Sequence, residues 1–174
     1  MPLKSKLKLP KKLWTKADTQ RLAMNTLASI KLRTSEGIDA NGVAFKKYST
    51  KPIYIPIGRG TGARLKPKGG ERRGDSMFFQ GGYREYKHRS RKRGSGGDSA
   101  EVDLVLSGAL MNNLVVLQAT QNRFIIGLTQ HVQYYGYYVN EIREYLGLTQ
   151  KDVNILYATV EAEIARKLNQ GRKP

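Results

Sequence analysis

The stretch LVVLQATQNRFIIGL, residues 114–128, decides the fold class. Residues 114–118 and 123–128 are rich in β-branched and aromatic side chains. The short polar piece Ala119–Asn122 lies between them, so the whole reads as a β-hairpin. On its C-terminal side, residues 150–169 carry Val153, Leu156, Val160, Ile164 and Leu168 at helical spacing. Thr149 caps that helix, Asp152 sits at its third position, and Gly171 ends it. Five such side chains fully buried would contribute roughly 1.5–3 kcal/mol each, and Val160→Asp would then prevent folding.

Upstream, Val102–Leu106 is a short apolar run, and Ser107-Gly108 opens a helical turn through Met111. Residues 15–35 form a second long helix, with Leu22, Ala23, Leu27 and Ile30 at three- and four-residue steps and Thr15 or Asp18 as the cap. Asp39-Ala40-Asn41-Gly42 is a turn, followed by an extended stretch near Val43–Phe45. Residues 53–57 (IYIPI) have strand composition, but Pro56 cannot donate to a ladder, which makes this an edge strand or a strand end. A short helix follows Gly82. Helices segregated from a hairpin and an edge strand predict an α+β domain with a small, mainly antiparallel sheet. The helices at 15–35 and 150–169 are expected to pack on that sheet.

The chain has 174 residues, a hydrophobic share of 39% and a net charge of +17. The excess is local. Residues 1–16 contribute +6 with no acid, residues 17–56 contribute +3, residues 57–100 contribute +8, and residues 101–174 are neutral. Interspersed charge would serve solubility, whereas localised basic charge marks an anionic partner. Residues 1–13 (MPLKSKLKLPKKL) alternate lysine with apolar residues and read as an extended arm ordered only against a partner. The expected organisation is this arm followed by one α+β domain over 14–174. The basic segments 58–76 and 89–100, rich in glycine, are expected to be flexible. Trp14 reads equally as the anchor of the arm or as a residue at the core edge.

Several functions are excluded by residue type. The chain has no cysteine, so disulfides, thiolate metal sites and cysteine nucleophiles are absent. No window approaches the roughly 18 apolar residues of a membrane span. Lysines interrupt the first apolar positions, unlike the apolar core of a secretory leader. Gly58-Arg-Gly60-Thr-Gly62-Ala63 after IYIPI fits a relaxed dinucleotide fingerprint. That chemistry needs a helix N-terminus facing the pyrophosphate, and Arg64-Leu-Lys-Pro67-Lys-Gly-Gly will not sustain one. His88 and His131 read as surface or packing histidines. Glu141 and Glu144, spaced as neighbours on one helix face, are candidate carboxylates for a metal-dependent nuclease and read as solvated surface. The expectation is a protein that is not an enzyme, with no cofactor and no metal.

Three blocks occur in an order that resembles one family. They are Arg33-Thr-Ser-Glu-Gly37-Ile-Asp39-Ala-Asn-Gly42-Val-Ala-Phe45-Lys-Lys-Tyr48; Gly82-Tyr-Arg-Glu-Tyr86 with Val102-Asp-Leu-Val-Leu-Ser107-Gly108-Ala-Leu110; and Arg143-Glu-Tyr-Leu146-Gly147-Leu-Thr149-Gln-Lys-Asp152. Together they resemble the opening, middle and closing signatures of phage virion morphogenesis proteins, whose middle signature is a tyrosine-containing helix, a strand and a Ser/Thr-Gly turn. The lysine arm and the segment 58–76 depart from that pattern. The resemblance implies a structural virion protein of a long-tailed phage, completing the tail and joining it to the head. It implies a small α+β fold and a ring, commonly a hexamer, at the tail top. Its partners would be other copies of itself, neighbouring head-completion or neck and tail-tube proteins, and genomic DNA passing through without sequence recognition.

Candidate partner or DNA contacts follow the basic excess. In the arm they are Lys4, Lys6, Lys8, Lys11 and Lys12. In the first glycine-rich segment they are Arg59, Arg64, Lys66, Lys68, Arg72 and Arg73, and in the second Arg89, Arg91, Lys92 and Arg93. Candidate subunit contacts are Tyr54 on the edge strand and Tyr134, Tyr135, Tyr137 and Tyr138, because tyrosine offers a large contact area with a polar tip. The other reading is a basic RNA- or DNA-binding protein of the kind found in ribosomes, whose arms would look the same.

Overall fold

The computed structural model describes residues 13–57, 67, 69–90 and 102–170. Helix α1, Lys16–Ser35, starts where Thr15 and Asp18 form a reciprocal capping box. Its inward face carries Ala23, Thr26, Leu27, Ile30, Arg33 and Thr34, all buried. The chain then reverses through Asp39–Gly42. Gly42 takes a φ of 82°, and the Asp39 amide donates to the Val43 carbonyl at 2.7 Å. Phe45 enters the core immediately afterwards.

Three strands follow: β1 (Ile53–Pro56), β2 (Glu71–Arg73) and β3 (Ser76–Phe79). They form an antiparallel sheet in the order β1-β3-β2, with Ile53 opposite Phe79 and Glu71 opposite Phe78. The expectation of an edge strand at 53–57 holds. The expectation of a structureless 58–76 is corrected at its C-terminal end, where residues 71–76 belong to a hairpin. Gly74-Asp75 supplies the turn, and Met77, Phe78 and Phe79 supply the apolar partners that the Gly/Arg composition conceals. Residues 58–66 and 68 of that segment, and residues 91–100 of the second, lie outside the described residues.

Helix α2, Gly82–Ser90, covers this sheet, with Tyr86 set edge-on to the buried Phe79 at 5.3 Å. The strand implied for 102–106 is not formed. Asp103 instead accepts from the Val105 amide at 3.0 Å, closing a local turn, and Leu104 takes a φ of 53° while its side chain enters the core. Left-handed backbone at a leucine costs of order 1–3 kcal/mol and persists only where its surroundings fix it. Here Asp103 is held by Lys87 and Leu104 by burial.

After α3 (Ala109–Asn112) comes the expected hairpin. Strands β4 (Leu114–Ala119) and β5 (Phe124–Leu128) pair antiparallel, with a bulge between Val116 and Gln118. The fold class is α+β, as expected. The sheet, however, is two sheets, because β1 pairs with β3 and not with the 114–128 hairpin. Leu114, Leu128, Leu27, Ile30, Phe45, Val102, Leu110 and Tyr145 meet in the main core under α1.

A 3₁₀ turn at Gln130–Val132 leads into α4 (Gln133–Ile142), and α5 (Gln150–Gln170) closes the chain. Helix α5 lies along α1, not on a sheet. Its stripe Val153, Leu156, Val160, Ile164 and Leu168 is half-buried, and no residue of α5 is fully buried. Most of the burial expected for that stripe is therefore not realised within this subunit, and Val160→Asp no longer follows as a change that prevents folding. What fixes α5 is polar. Thr149 and Asp152 cap it reciprocally, and three ion pairs join it to α1.

Gly136 of α4 is buried, and a Cβ there would lie 2.1 Å from Leu128 Cδ1 and 3.1 Å from the Tyr145 hydroxyl. The close approach of α4 to β5 requires glycine. Gly136→Ala is expected to cost about 1–3 kcal/mol, as overpacking does, and to lower the midpoint of urea unfolding; unchanged stability would refute this packing.

Candidate assembly surface

Because α4 is pressed inward at Gly136, its tyrosines turn outward. Tyr134 is 93% exposed, and Tyr135, Tyr137, Tyr138 and Ile142 are about half exposed. Leu148, Ile155 and Tyr157, at and beyond the start of α5, are exposed as well. Large apolar side chains standing in water on two consecutive helices make this face a candidate surface for association.

The three-stranded sheet carries a smaller exposed cluster. Tyr54 on β1 packs against Phe78 of β3 at 4.9 Å, and the Arg73 guanidinium lies 4.3 Å above the Phe78 ring. Arg73 also donates to the Tyr54 hydroxyl at 3.1 Å and to Glu71 at 2.9 Å. Arg72 donates to the Gly74 carbonyl at 3.4 Å, and Arg89 pairs with Glu85 on α2 at 2.8 Å. These three cations are thus engaged inside the subunit. Lys4, Lys6, Lys8, Lys11, Lys12, Arg59, Arg64, Lys66, Lys68, Arg91, Lys92 and Arg93 lie outside the described residues.

The carboxylate pair spaced for a metal site does not share one helix face. Glu141 sits on α4, but the helix ends at Ile142, so Glu144 is not on its face; Glu144 instead accepts from the Asn41 side chain at 3.0 Å. His88 and His131 are exposed on α2 and on the 3₁₀ turn. Among the described residues no group of three His, Asp or Glu is placed to hold a metal, and no helix is long and apolar enough to cross a membrane.

Behind the exposed surface lie polar contacts that sequence reading missed. Lys87, in a basic run, reads as surface charge, yet it is fully buried and donates to Asp103 and, at 3.0 Å, to the Tyr48 hydroxyl. Tyr48 is also faced by Arg143, 4.9 Å from its ring, and by Tyr83 at 5.2 Å. Burial pushes the Tyr83 and Tyr145 phenols well above their usual range. Arg33 pairs with Asp152 and donates to the carbonyls of Tyr145 and Gly147, both at 3.0 Å. Trp14 is half-buried. Its indole donates to Thr19 at 2.8 Å, and its carbonyl accepts from Gln121 at the hairpin tip. The one available signal was helical phase. Arg33 falls three residues after Ile30 and seven after Thr26, both on the buried face of α1.

No family model, no curated protein and no solved structure matches this chain.

Two predictions concern this polar frame. Arg33→Met would leave the Asp152 carboxylate and two carbonyls without their cation. Removing one partner of a buried pair costs about 3–5 kcal/mol, so the urea midpoint should drop accordingly; a stable Arg33→Met would show the pair to be dispensable. The second concerns pH. Lys167, and next the Thr15 hydroxyl, hold the Asp18 carboxyl well below the usual carboxylate range. A depressed folded-state pKa stabilises above the unfolded value of about 4 and loses that contribution as pH falls below it. Asp18→Asn should therefore be less stable than the native chain at neutral pH, with the gap closing under acid. A gap independent of pH would exclude an ionic origin.

Proposed function

We propose that this chain is a structural subunit of a long-tailed phage particle. In this reading it forms a homo-oligomeric ring at the top of the tail that completes the tail and joins it to the head or neck, and it has no enzymatic role. One observation carries the reading. The three sequence blocks that resemble virion morphogenesis proteins are also one bonded unit in space. The first and third blocks meet through Arg33 with Asp152, through the Ala40 amide with the Glu144 carbonyl at 2.7 Å, and through Arg143 with the Lys46 carbonyl at 3.1 Å. The middle block joins them where Asp103 holds Lys87 beneath Tyr48. These contacts make the three blocks parts of one packed region, as expected if they form a single structural signature.

The exposed tyrosines of α4 and the apolar residues of α5 supply the faces by which copies associate. Within this reading the basic arm and loops face an acidic neighbouring ring or the DNA passing through. Lysines act as point charges on phosphates and carry no base-reading geometry.

The test is sedimentation of the purified chain, free of nucleic acid, at low and at high salt. Rings are expected at both, since tyrosine contacts survive screening. A monomer that associates only with added RNA or DNA, with affinity falling about 0.9 log units per log unit of salt for each phosphate contact, would favour the nucleic-acid-binding reading instead. A chain lacking residues 1–13 should still form rings but join heads to tails poorly.

A further inference from the structure

Among the described residues, strand β4 has a strand partner on one edge only. Its other edge borders a groove of about 540 Å³, walled on the far side by one face of α1: Lys16, Gln20, Met24, Leu27 and Lys31. The whole of β4, Leu114–Ala119, forms the near wall. Met24 is 54% exposed and Leu117 50%, so apolar side chains stand open to water on both sides of a strand edge that no described strand pairs. A two-stranded sheet is marginal by itself, and a third strand is the usual remedy.

We propose that this groove is the binding site for residues 3–9 of the same chain, which add to β4 as a third strand. The sequence Leu3-Lys4-Ser5-Lys6-Leu7-Lys8-Leu9 has the period of a strand, with Leu3, Ser5, Leu7 and Leu9 on one face and Lys4, Lys6 and Lys8 on the other. The first face suits Met24 and Leu27. The second leaves the lysines pointing away from Lys16 and Lys31. Seven extended residues span about 23 Å, and the six of β4 about 20 Å.

The tether selects this occupant over a second copy. The described chain begins at Leu13, and the Trp14 carbonyl accepts from Gln121, just past the end of β4. The arm therefore leaves the domain at the mouth of its own groove. Pro10–Leu13 is enough chain for the reversal between a strand and the helix that packs on it, and this places the arm parallel to β4. Such a short tether gives an effective concentration in the millimolar range or above, which a separate molecule at ordinary concentrations does not reach. The bulge at Leu117 breaks the row of outer amides into two short runs. That hinders open-ended edge pairing between copies but not the docking of one short strand. Docked in this way, the lysines form a fixed row on the outer face of the sheet.

This inference stands apart from the functional reading and is tested separately. Hydrogen exchange of the 114–119 amides is compared in the full chain, a chain lacking residues 1–12, a Leu7→Ser/Leu9→Ser variant, and a variant with Lys4, Lys6 and Lys8 changed to Gln. Protection is expected in the full chain and in the glutamine variant, independent of protein concentration. It should fall at least about tenfold when the arm is removed or its leucines replaced. Because the native chain has no cysteine, a Leu7→Cys/Met24→Cys chain gives a second readout that needs no truncation. Under mild oxidation it should form a disulfide within one molecule. Equal exchange in all four chains, disulfide-linked dimers in place of the internal bond, or protection that rises with concentration would overturn the proposal. The sedimentation state of the same samples separates the two ideas. Rings with an unprotected β4 sink this inference alone, and a protected β4 in a chain that never assembles sinks the ring alone.

Discussion

The structure depends on the pairing of Arg33 with Asp152. Arg33 sits at the last turn of α1 and Asp152 at the first turn of α5. The same guanidinium holds the carbonyls of Tyr145 and Gly147, which lead into the α5 cap, while Asp152 also accepts from the Thr149 amide. One cation thus ties the end of one long helix to the start of the other and to the loop between α4 and α5. At the opposite ends of the helices, Asp18 takes Lys167, and Arg21 takes Glu163. The two helices run antiparallel, fastened at both ends by charge.

This arrangement explains why α5 keeps its place without a buried side chain. An ordinary amphipathic helix is held by apolar burial. Here the apolar stripe is only half covered, and position comes from directional contacts at the ends. The outcome is a subunit with a fixed frame and much exposed apolar surface: the tyrosines of α4, then Ile155 and Tyr157 of α5. A rigid frame beneath an uncovered surface suits a component completed by its neighbours. The same logic applies to the edge of β4 that no described strand pairs, where the inner faces of sheet and helix are packed while the rim is exposed.

Charge plays two separate parts in this chain. The localised excess that marks the sequence as basic lies largely outside the described residues. Where its members are described, at Arg72, Arg73 and Arg89, they bond to groups of the same subunit. Of the charges that hold the fold, Lys87 comes from the same basic stretch and Arg33 and Lys167 from outside it, and nothing in the local density of lysine and arginine distinguishes them. A buried cation is recognised by its partners, and those come from remote parts of the chain.

The sequence by itself determined what depends on neighbours a few residues apart. Both long helices, their Thr-x-x-Asp caps, the hairpin at 114–128, the edge strand with Pro56 and the turn at Gly42 were legible, because capping, periodicity and turn chemistry act over one to four residues. It also excluded every chemistry that needs cysteine. Tertiary structure decided the rest. Whether 53–57 joins the 114–128 hairpin or a separate sheet depends on β3, whose strand character lies behind a glycine- and arginine-rich approach. Whether 102–106 is a strand depends on Asp103 meeting Lys87, sixteen residues away in sequence. How deeply α5 is buried depends on which surface it meets, and a hydrophobic stripe announces a partner without naming it. Periodicity reports that a face is apolar; only the assembled chain settles whether that face is covered.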